Sequence, residues 1–108
     1  MTWRIRDRAT FASLRQARRH RRGPLSVAVL QGASTDPPRV AYAIGKHVGG
    51  AVVRNRLRRR LRAAVGHNRH RLLPGHAYLV GAAPGAVSVP YPELEGALAA
   101  LLVAAERT

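Results

Sequence analysis

Positions 51–67 combine a narrow apolar stripe with a dense set of arginines, and this combination restricts what the chain can fold into. Apolar residues recur at α-helical spacing, namely Val53, Leu57, Leu61, Ala64 and Val65. The pattern predicts a helix over 51–67 that packs along one side only. The remaining surface of this helix must stay basic and exposed.

A helical wheel, with Leu57 and Ala64 as the buried direction, orients the polar residues of this helix. Asn55, Arg59 and Arg62 point away from the core. Four more arginines flank them, Arg54 and Arg58 on one side and Arg56 and Arg60 on the other. Arginines four residues apart destabilise an isolated helix by about 0.2–0.5 kcal/mol per pair. A helix that tolerates this repulsion usually has an anion that relieves it.

The charge of the whole chain also indicates a polyanionic partner. The 108 residues contain 19 Lys and Arg but only 5 Asp and Glu, a net charge of +14. Residues 1–71 carry 18 of the basic residues and 2 of the acidic ones. Five acids cannot neutralise the helix face, so we expect a surface that binds nucleic acid phosphates. Phosphate contacts alone do not distinguish RNA from DNA.

Cysteine usage and hydropathy exclude several other classes of protein. The absence of cysteine excludes a disulfide framework, a thiolate nucleophile and Cys-based metal sites, and it is compatible with a reducing cytoplasm. The longest apolar run, 96–105, is half of the roughly 20 residues that span a bilayer. We therefore expect a cytoplasmic protein with no secretion signal and no membrane partner.

The remaining pattern predicts one α+β domain over 1–108. A first helix, capped by Asp7 or Thr10, extends to about Arg18, and the charge run 18–22 is predicted to be a loop or a frayed helix end. Strands over 25–31 and 40–45, joined by the loop 32–39, are predicted to pair as an antiparallel hairpin. Each strand has one bulky face and one face of small residues.

A strand–helix–strand crossover and a final helix complete this prediction. A third strand over 76–82 follows the arginine-rich helix. The last helix begins near Pro92, and Leu94, Leu98, Leu101 and Ala105 are predicted to face the core.

The segment 46–62 resembles the RNR signature of bacterial ribonuclease P protein subunits. The family pattern is typically Lys-Lys-Val-Gly-Asn-Ala-Val-x-Arg-Asn-Arg followed by a basic helix. This chain has Lys46-His47-Val48-Gly49-Gly50-Ala51-Val52-Val53-Arg54-Asn55-Arg56 in its place. The resemblance implies a two-layer α/β sandwich in the order α-β-β-α-β-α, with helices on a small, mostly antiparallel sheet. It also implies a left-handed βαβ crossover, against the usual handedness.

The same resemblance implies a subunit of the ribonucleoprotein that removes the 5′ leader from precursor tRNA by endonucleolytic cleavage. The catalytic centre would lie in the partner RNA, which binds the Mg²⁺, while the protein aids substrate and Mg²⁺ binding and holds no metal itself. The five acids are Asp7, Asp36, Glu93, Glu95 and Glu106, and no visible motif pairs them for two-metal cleavage. DNA is not an expected partner. The alternative is a structural RNA-binding protein of the ribosomal type.

The resemblance assigns two sets of binding residues. Catalytic RNA would be bound by the turn and helix residues Lys46, His47, Arg54, Asn55, Arg56, Arg58, Arg59, Arg60 and Arg62. The single-stranded leader would lie in a cleft lined by Phe11, Arg15, Ser26, Ala28 and Ala43. Phe11 is suited either to stacking on an unpaired base or to simple core packing.

Several residues depart from the family pattern. His47 replaces a usual Lys and Gly50 a usual Asn, so the turn has less permanent charge and one polar contact fewer. Arg15 stands where a second aromatic residue is common, and Gly81 lies near a commonly basic position. His67 and His70 are three residues apart, but no third ligand at matching spacing supports zinc, so exposed histidines on an RNA face are preferred.

Overall fold

The computed structural model describes residues 3–5 and 7–106. Five strands are β1 (Trp3–Arg4), β2 (Arg19–Arg22), β3 (Leu25–Leu30), β4 (Arg39–Ile44) and β5 (Ala77–Ala82). Three helices are α1 (Arg8–Gln16), α2 (Ala51–His67) and α3 (Tyr91–Glu106). Short 3₁₀ turns cover Lys46–Val48, Arg69–Arg71 and Pro84–Ser88.

The strands form one mixed sheet in the order β1-β4-β5-β3-β2. β5 pairs antiparallel with β3 and parallel with β4, and α2 makes the connection between β4 and β5. β1 is parallel to β4, and β2 is antiparallel to β3. The predicted α+β class is confirmed, whereas the expectation of a mostly antiparallel sheet is wrong, because parallel and antiparallel pairs are equally numerous among the described strands. The left-handed crossover stays a prediction.

The predicted hairpin between β3 and β4 is wrong, since β5 lies between them. The connecting loop passes the start of β5, where the Gly75 amide donates to the Asp36 carbonyl at 2.8 Å and the Arg39 amide to the His76 carbonyl at 3.0 Å. The first of these contacts requires Gly75, whose φ is +75° and whose Cβ would lie 2.4 Å from the Ser34 carbonyl oxygen. The loop therefore carries the chain past β5 rather than folding it back on β3.

The segment 18–22 is also not a loop or a frayed helix end, because its last four residues form the edge strand β2. The two-residue turn Gly23–Pro24 joins β2 to β3, and Gly23 takes a φ of +57° that suits glycine. Because β2 pairs through its backbone, its basic side chains remain exposed or half-buried. Charge on an edge strand also discourages pairing with other chains.

Hydrophobic side chains fill both faces of the sheet. On one face, α2 and α3 pack over the bulky residues of β3, β4 and β5, and the predicted helix residues Leu57, Leu61, Leu94 and Leu98 are buried there. On the other face, Leu14 and Phe11 of α1 cover small residues such as Ala28 and Ala41. The prediction that each strand has one bulky and one small face is thus confirmed, and α1 adds a partial third layer to the expected two.

The cap of α1 fixes where this third layer begins. The Asp7 carboxylate accepts hydrogen bonds from the Thr10 amide, at 2.9 Å, and from the Thr10 hydroxyl. These two bonds hold the pKa of Asp7 below its usual range, and the nearby Arg39 guanidinium lowers it further. Arg39 Nη1 lies 3.2 Å from Asp7 Oδ1, which ties the start of α1 to β4. Of the two predicted caps, Asp7 is the one formed.

No helix within the described ranges is both long enough and apolar enough to cross a membrane.

Candidate nucleic-acid interface

The outward face of α2 is basic along most of its length. Asn55, Arg56, Arg59 and Arg62 are exposed, whereas Leu57 and Ala64 on the opposite side are buried. The helix orientation taken from the wheel is therefore confirmed. Arg58 Nη1 donates a 2.9 Å hydrogen bond to Asn55 Oδ1, so the asparagine orients a neighbouring guanidinium on the same face. No acidic side chain in the described part of the chain forms an ion pair with this face.

Two arginines of this helix are placed differently from the rest. The Arg60 guanidinium donates to the carbonyl oxygens of Val87, at 3.4 Å, and of Val89. Arg60 therefore binds α2 to the segment that leads into α3. Arg54 is half-buried, and its Nε is enclosed with no hydrogen-bond partner in the described part of the chain. These two arginines and the half-buried Arg58 are less available to a ligand than the exposed arginines of α2.

The turn before α2 presents the other two predicted RNA contacts. Lys46 and His47 are exposed, while Val48 is buried and anchors the turn to the core. Gly49 has a φ of +156°, and a Cβ there would lie 2.9 Å from a methyl carbon of Val53. Gly50 is the N-cap of α2 and makes no side-chain capping bond. The polar contact that an asparagine would supply in the family pattern is thus absent here.

An open groove lies where α1 stops covering the small-residue face of the sheet, and we call it the leader groove because the resemblance implies that a leader would bind here. Its volume is about 620 Å³, and Phe11, Arg15, Ser26 and Ala43 line it, as predicted. His47 reaches the same groove from the turn before α2. The groove and the basic helix face are therefore connected through that turn.

Ala28 does not belong to this groove. It is buried at 1% exposure and packs in the same cluster as Leu14 of α1. The predicted alternation along β3 is confirmed, but α1 packs over Ala28, so that Ser26 lines the groove and Ala28 does not. The assignment of Ala28 to a binding surface is therefore corrected.

The position of Phe11 is compatible with both suggested roles, and stacking on a base stays a prediction. Phe11 is half-buried against the cluster under α1 and also lines the leader groove. The guanidinium carbon of Arg15 lies 5.2 Å from its ring centroid, a cation–π contact. Arg15 therefore replaces the second aromatic residue of the family pattern with a cation beside the first. At the groove floor, a Cβ on Gly81 would lie 2.5 Å from Ser26 Oγ, so the serine hydroxyl occupies space that a side chain at 81 would use.

Sequence reasoning missed Arg19 and Arg21, which also line the leader groove. Both belong to β2, and their charge favoured a solvated loop. The signal that could have found them is Gly23–Pro24, a two-residue connection with glycine first between two short runs, which is typical of a hairpin.

A second basic concavity lies beside the outer edge of β4. It has a volume of about 520 Å³, and Arg4, Tyr42, Arg58 and Arg62 are among its lining residues. Burial raises the pKa of the Tyr42 hydroxyl, and the nearby Arg62 guanidinium opposes that rise. Tyr42 therefore presents a neutral hydroxyl beside the arginines.

The histidines predicted to lie on an RNA face are placed away from these grooves. His67 Nδ1 lies 3.0 Å from the Tyr91 hydroxyl and 3.4 Å from Glu95 Oε2, where α2 meets α3. His70 is exposed in the Arg69–Arg71 turn. Over residues 3–5 and 7–106, no three His, Cys, Asp or Glu side chains are grouped so that they could hold a metal ion.

These features define a class of protein: a small basic α+β domain with an arginine-rich helix and a groove lined in part by arginines. The profile of the Ribonuclease P family matches residues 1–106 of this chain. The chain therefore belongs to that family.

Individual relatives agree with the family match. A Streptomyces griseus ribonuclease P protein component is 39% identical over 109 residues, covering 92% of this chain and 88% of the relative. A Beutenbergia cavernae ribonuclease P protein component is 49% identical over 70 residues, covering 62% of this chain and 59% of the relative. The RNase P protein of Staphylococcus aureus superposes with a TM-score of 0.82 at 21% identity, covering 96% of this chain and 95% of that one. The last comparison shows that the fold is shared.

Proposed function

We propose that this chain is the protein subunit of a ribonuclease P ribonucleoprotein that removes the 5′ leader from precursor tRNA. The observation that carries the proposal is the pairing of a family match over residues 1–106 with an α2 face whose arginines have no acidic partner in the described part of the chain. In this proposal the α2 face, together with Lys46 and His47, binds the catalytic RNA. We place the complex in the cytoplasm.

The leader groove supplies the second half of the proposal. An unpaired RNA strand needs cations for its phosphates and a flat platform for a base. Arg15, Arg19 and Arg21 supply the cations, and the exposed part of the Phe11 ring supplies the platform. Ser26 and Ala43 keep the floor shallow, so that a strand fits without displacing the core.

The chemistry of cleavage belongs to the partner RNA in this proposal. Mg²⁺ prefers several oxygen ligands, usually carboxylates, phosphates and water. The acids of this chain are dispersed: Asp7 caps α1, Glu95 faces His67, and Glu93 lies in the first turn of α3. The Mg²⁺ therefore fits the RNA phosphates better than this protein. What the chain contributes is positive charge that lowers repulsion between catalytic RNA and substrate, and so aids substrate and Mg²⁺ binding.

The test is a reconstitution at low Mg²⁺ with the cognate catalytic RNA and a 5′-extended precursor tRNA. Adding the purified chain should raise the rate of leader removal and tighten binding of the precursor more than binding of mature tRNA. No gain in either quantity would overturn the proposal. Equal tightening for mature and precursor tRNA would instead favour a structural RNA-binding protein of the ribosomal type.

A further inference from the structure

The edge strand β2 directs arginines to both faces of the sheet. In an antiparallel pair, residues directly opposite each other project to the same face. Arg21 is opposite Ser26, which lines the leader groove, so Arg21 projects toward that groove. Arg22 is opposite Leu25, which is buried in the core beneath α3, so Arg22 projects to the α3 side.

On the α3 side the segment 18–22 borders a third groove, which we call the β2–α3 groove. Its volume is about 300 Å³, and its other wall is made of Ala100, Leu101 and Ala104. Arg18 and Arg22 are exposed beside it. The two ion pairs of the described ranges, Arg39–Asp7 and His67–Glu95, lie elsewhere, so no described acidic side chain compensates the charge of these arginines.

The lining of this groove fits a nucleic acid backbone rather than bases. The ring among the residues that line it is the half-buried imidazole of His20, and no Phe, Tyr or Trp is present, so guanidinium groups and small apolar side chains make up most of the lining. Alanine side chains leave room against α3, and the guanidinium groups opposite them pair with phosphates. Contacts of this kind hold a strand without reading its sequence.

The two grooves share one wall, since Arg19 and Arg21 line both of them. A strand that leaves the leader groove over the edge of the sheet therefore enters the β2–α3 groove directly. The basic helix α2 packs beside β4, which β5 and β3 separate from β2 by about 14 Å at ordinary strand spacing. RNA bound to α2 is thus held toward the opposite edge of the same face of the sheet.

We propose that the upstream part of the precursor tRNA leader crosses β2 and lies in the β2–α3 groove, where Arg18 and Arg22 bind its phosphates. This inference rests on the proposed function. It makes the contribution of the protein depend on leader length: short leaders end in the leader groove, and longer ones gain additional contacts beyond the sheet edge.

The test compares two precursor tRNAs, one with a leader that ends within the leader groove and one with a leader that extends well beyond it. Binding to the reconstituted holoenzyme is measured with the wild-type chain and with the double variant Arg18→Gln/Arg22→Gln. The matched control is Arg8→Gln/Arg69→Gln, which removes the same charge from exposed positions that line none of the three grooves described above. Thermal melts verify that each variant folds.

We expect the double variant to weaken binding of the long-leader precursor severalfold and to reduce the salt slope by about 0.7 for each lost phosphate contact. Binding of the short-leader precursor should match the control. Equal loss for both precursors, or weaker binding of the catalytic RNA alone, would overturn the inference and assign the groove to the catalytic RNA. No loss for either precursor would also overturn it. A wild-type chain that assists cleavage of neither precursor would instead refute the proposed function itself.

Discussion

Arg60 of α2 donates a hydrogen bond to the main-chain carbonyl of Val89, which lies just before α3. Arg59, its neighbour in sequence, is exposed and has no such partner in the described part of the chain. Adjacent arginines in one basic helix therefore serve different purposes: Arg60 joins two elements of the fold, and Arg59 is available to RNA. Charge alone does not separate the two roles, but hydrogen bonding does.

Exchanging each of these arginines for alanine should separate stability from RNA binding. Arg59→Ala should reduce the salt slope of catalytic RNA binding by about one unit and leave the melting temperature unchanged. Arg60→Ala should lower the free energy of unfolding by about 1 kcal/mol, because it removes charged hydrogen bonds to backbone carbonyls. Thermal melts and salt-dependent binding measure the two effects. If Arg60→Ala instead reduced the salt slope and left the melting temperature unchanged, Arg60 would face the RNA.

Leu57 is the residue that fixes how α2 packs, and its truncation tests the orientation of the basic face. The side chain is 2% exposed in the core between the sheet and the two long helices. Leu57→Ala should lower the free energy of unfolding by about 2–5 kcal/mol, since it leaves a cavity. Val52→Ala on the same helix is the control, because Val52 is 83% exposed. Similar denaturant midpoints for the two variants would refute the packing described for α2.

The helix α2 and the strands β2 and β3 show how much of the fold can be predicted from the sequence. The bounds of α2 follow from its apolar stripe, because a period of 3.6 is a local property of the chain. The pairing of β3 with β5 does not follow, because alternation along Leu25–Leu30 reports which face each side chain takes and not which strand lies alongside. β2 is held by its backbone, and Arg19–Arg22 carry no apolar pattern that would predict a strand.

The candidate site can also be predicted from the sequence only in part. The α2 face is predictable, because it is the surface left over when the apolar stripe is buried. The leader groove depends on where α1 ends over the sheet, so Ser26 is open and Ala28, on the same face of β3, is covered. That difference arises from tertiary packing and has no counterpart in the sequence around either residue.

The cap of α1 should make stability depend on pH through Asp7. Its pKa is lowered in the folded chain, so the carboxylate stabilises the fold fully above the pKa of an unfolded Asp, about 3.9, and loses that effect as pH falls through the folded value. Asp7→Ala should therefore lower the melting temperature at neutral pH, with a difference that shrinks in acid. Asp36→Ala is the control, because Asp36 is exposed in the loop before β4. A difference between Asp7→Ala and wild type that is constant from neutral to acid pH would contradict the cap.

Introducing the asparagine that is usual in the family at position 50 should strengthen the start of α2. Gly50 is the N-cap, and a Cβ there meets no atom within 4 Å, so a side chain fits without displacement. Asn exceeds Gly as an N-cap by a few tenths of a kcal/mol, and Gly50→Asn should raise the free energy of unfolding by about that amount. Gly50→Ala is the matched variant, since alanine fits equally well but cannot cap. An equal gain in the free energy of unfolding from both variants would show that the backbone entropy of glycine, rather than the missing cap, limits the stability of this turn.

A substitution of Phe11 can separate its contribution to core packing from a contribution to base stacking. Because the ring is half-buried under α1 and also lines the leader groove, Phe11→Ala would disturb both at once. Phe11→Leu keeps an apolar side chain of similar size and should cost about 1 kcal/mol of stability or less. It removes the flat ring, however, so binding of the leader should weaken by up to about 1–3 kcal/mol if one base stacks there. The measurement compares precursor and mature tRNA in the reconstituted complex. Leu14→Met serves as the packing control, because Leu14 is a fully buried residue of the same helix. An unchanged preference for the precursor with Phe11→Leu would assign Phe11 to the core alone and leave Arg15, Arg19 and Arg21 as the side chains that hold the leader.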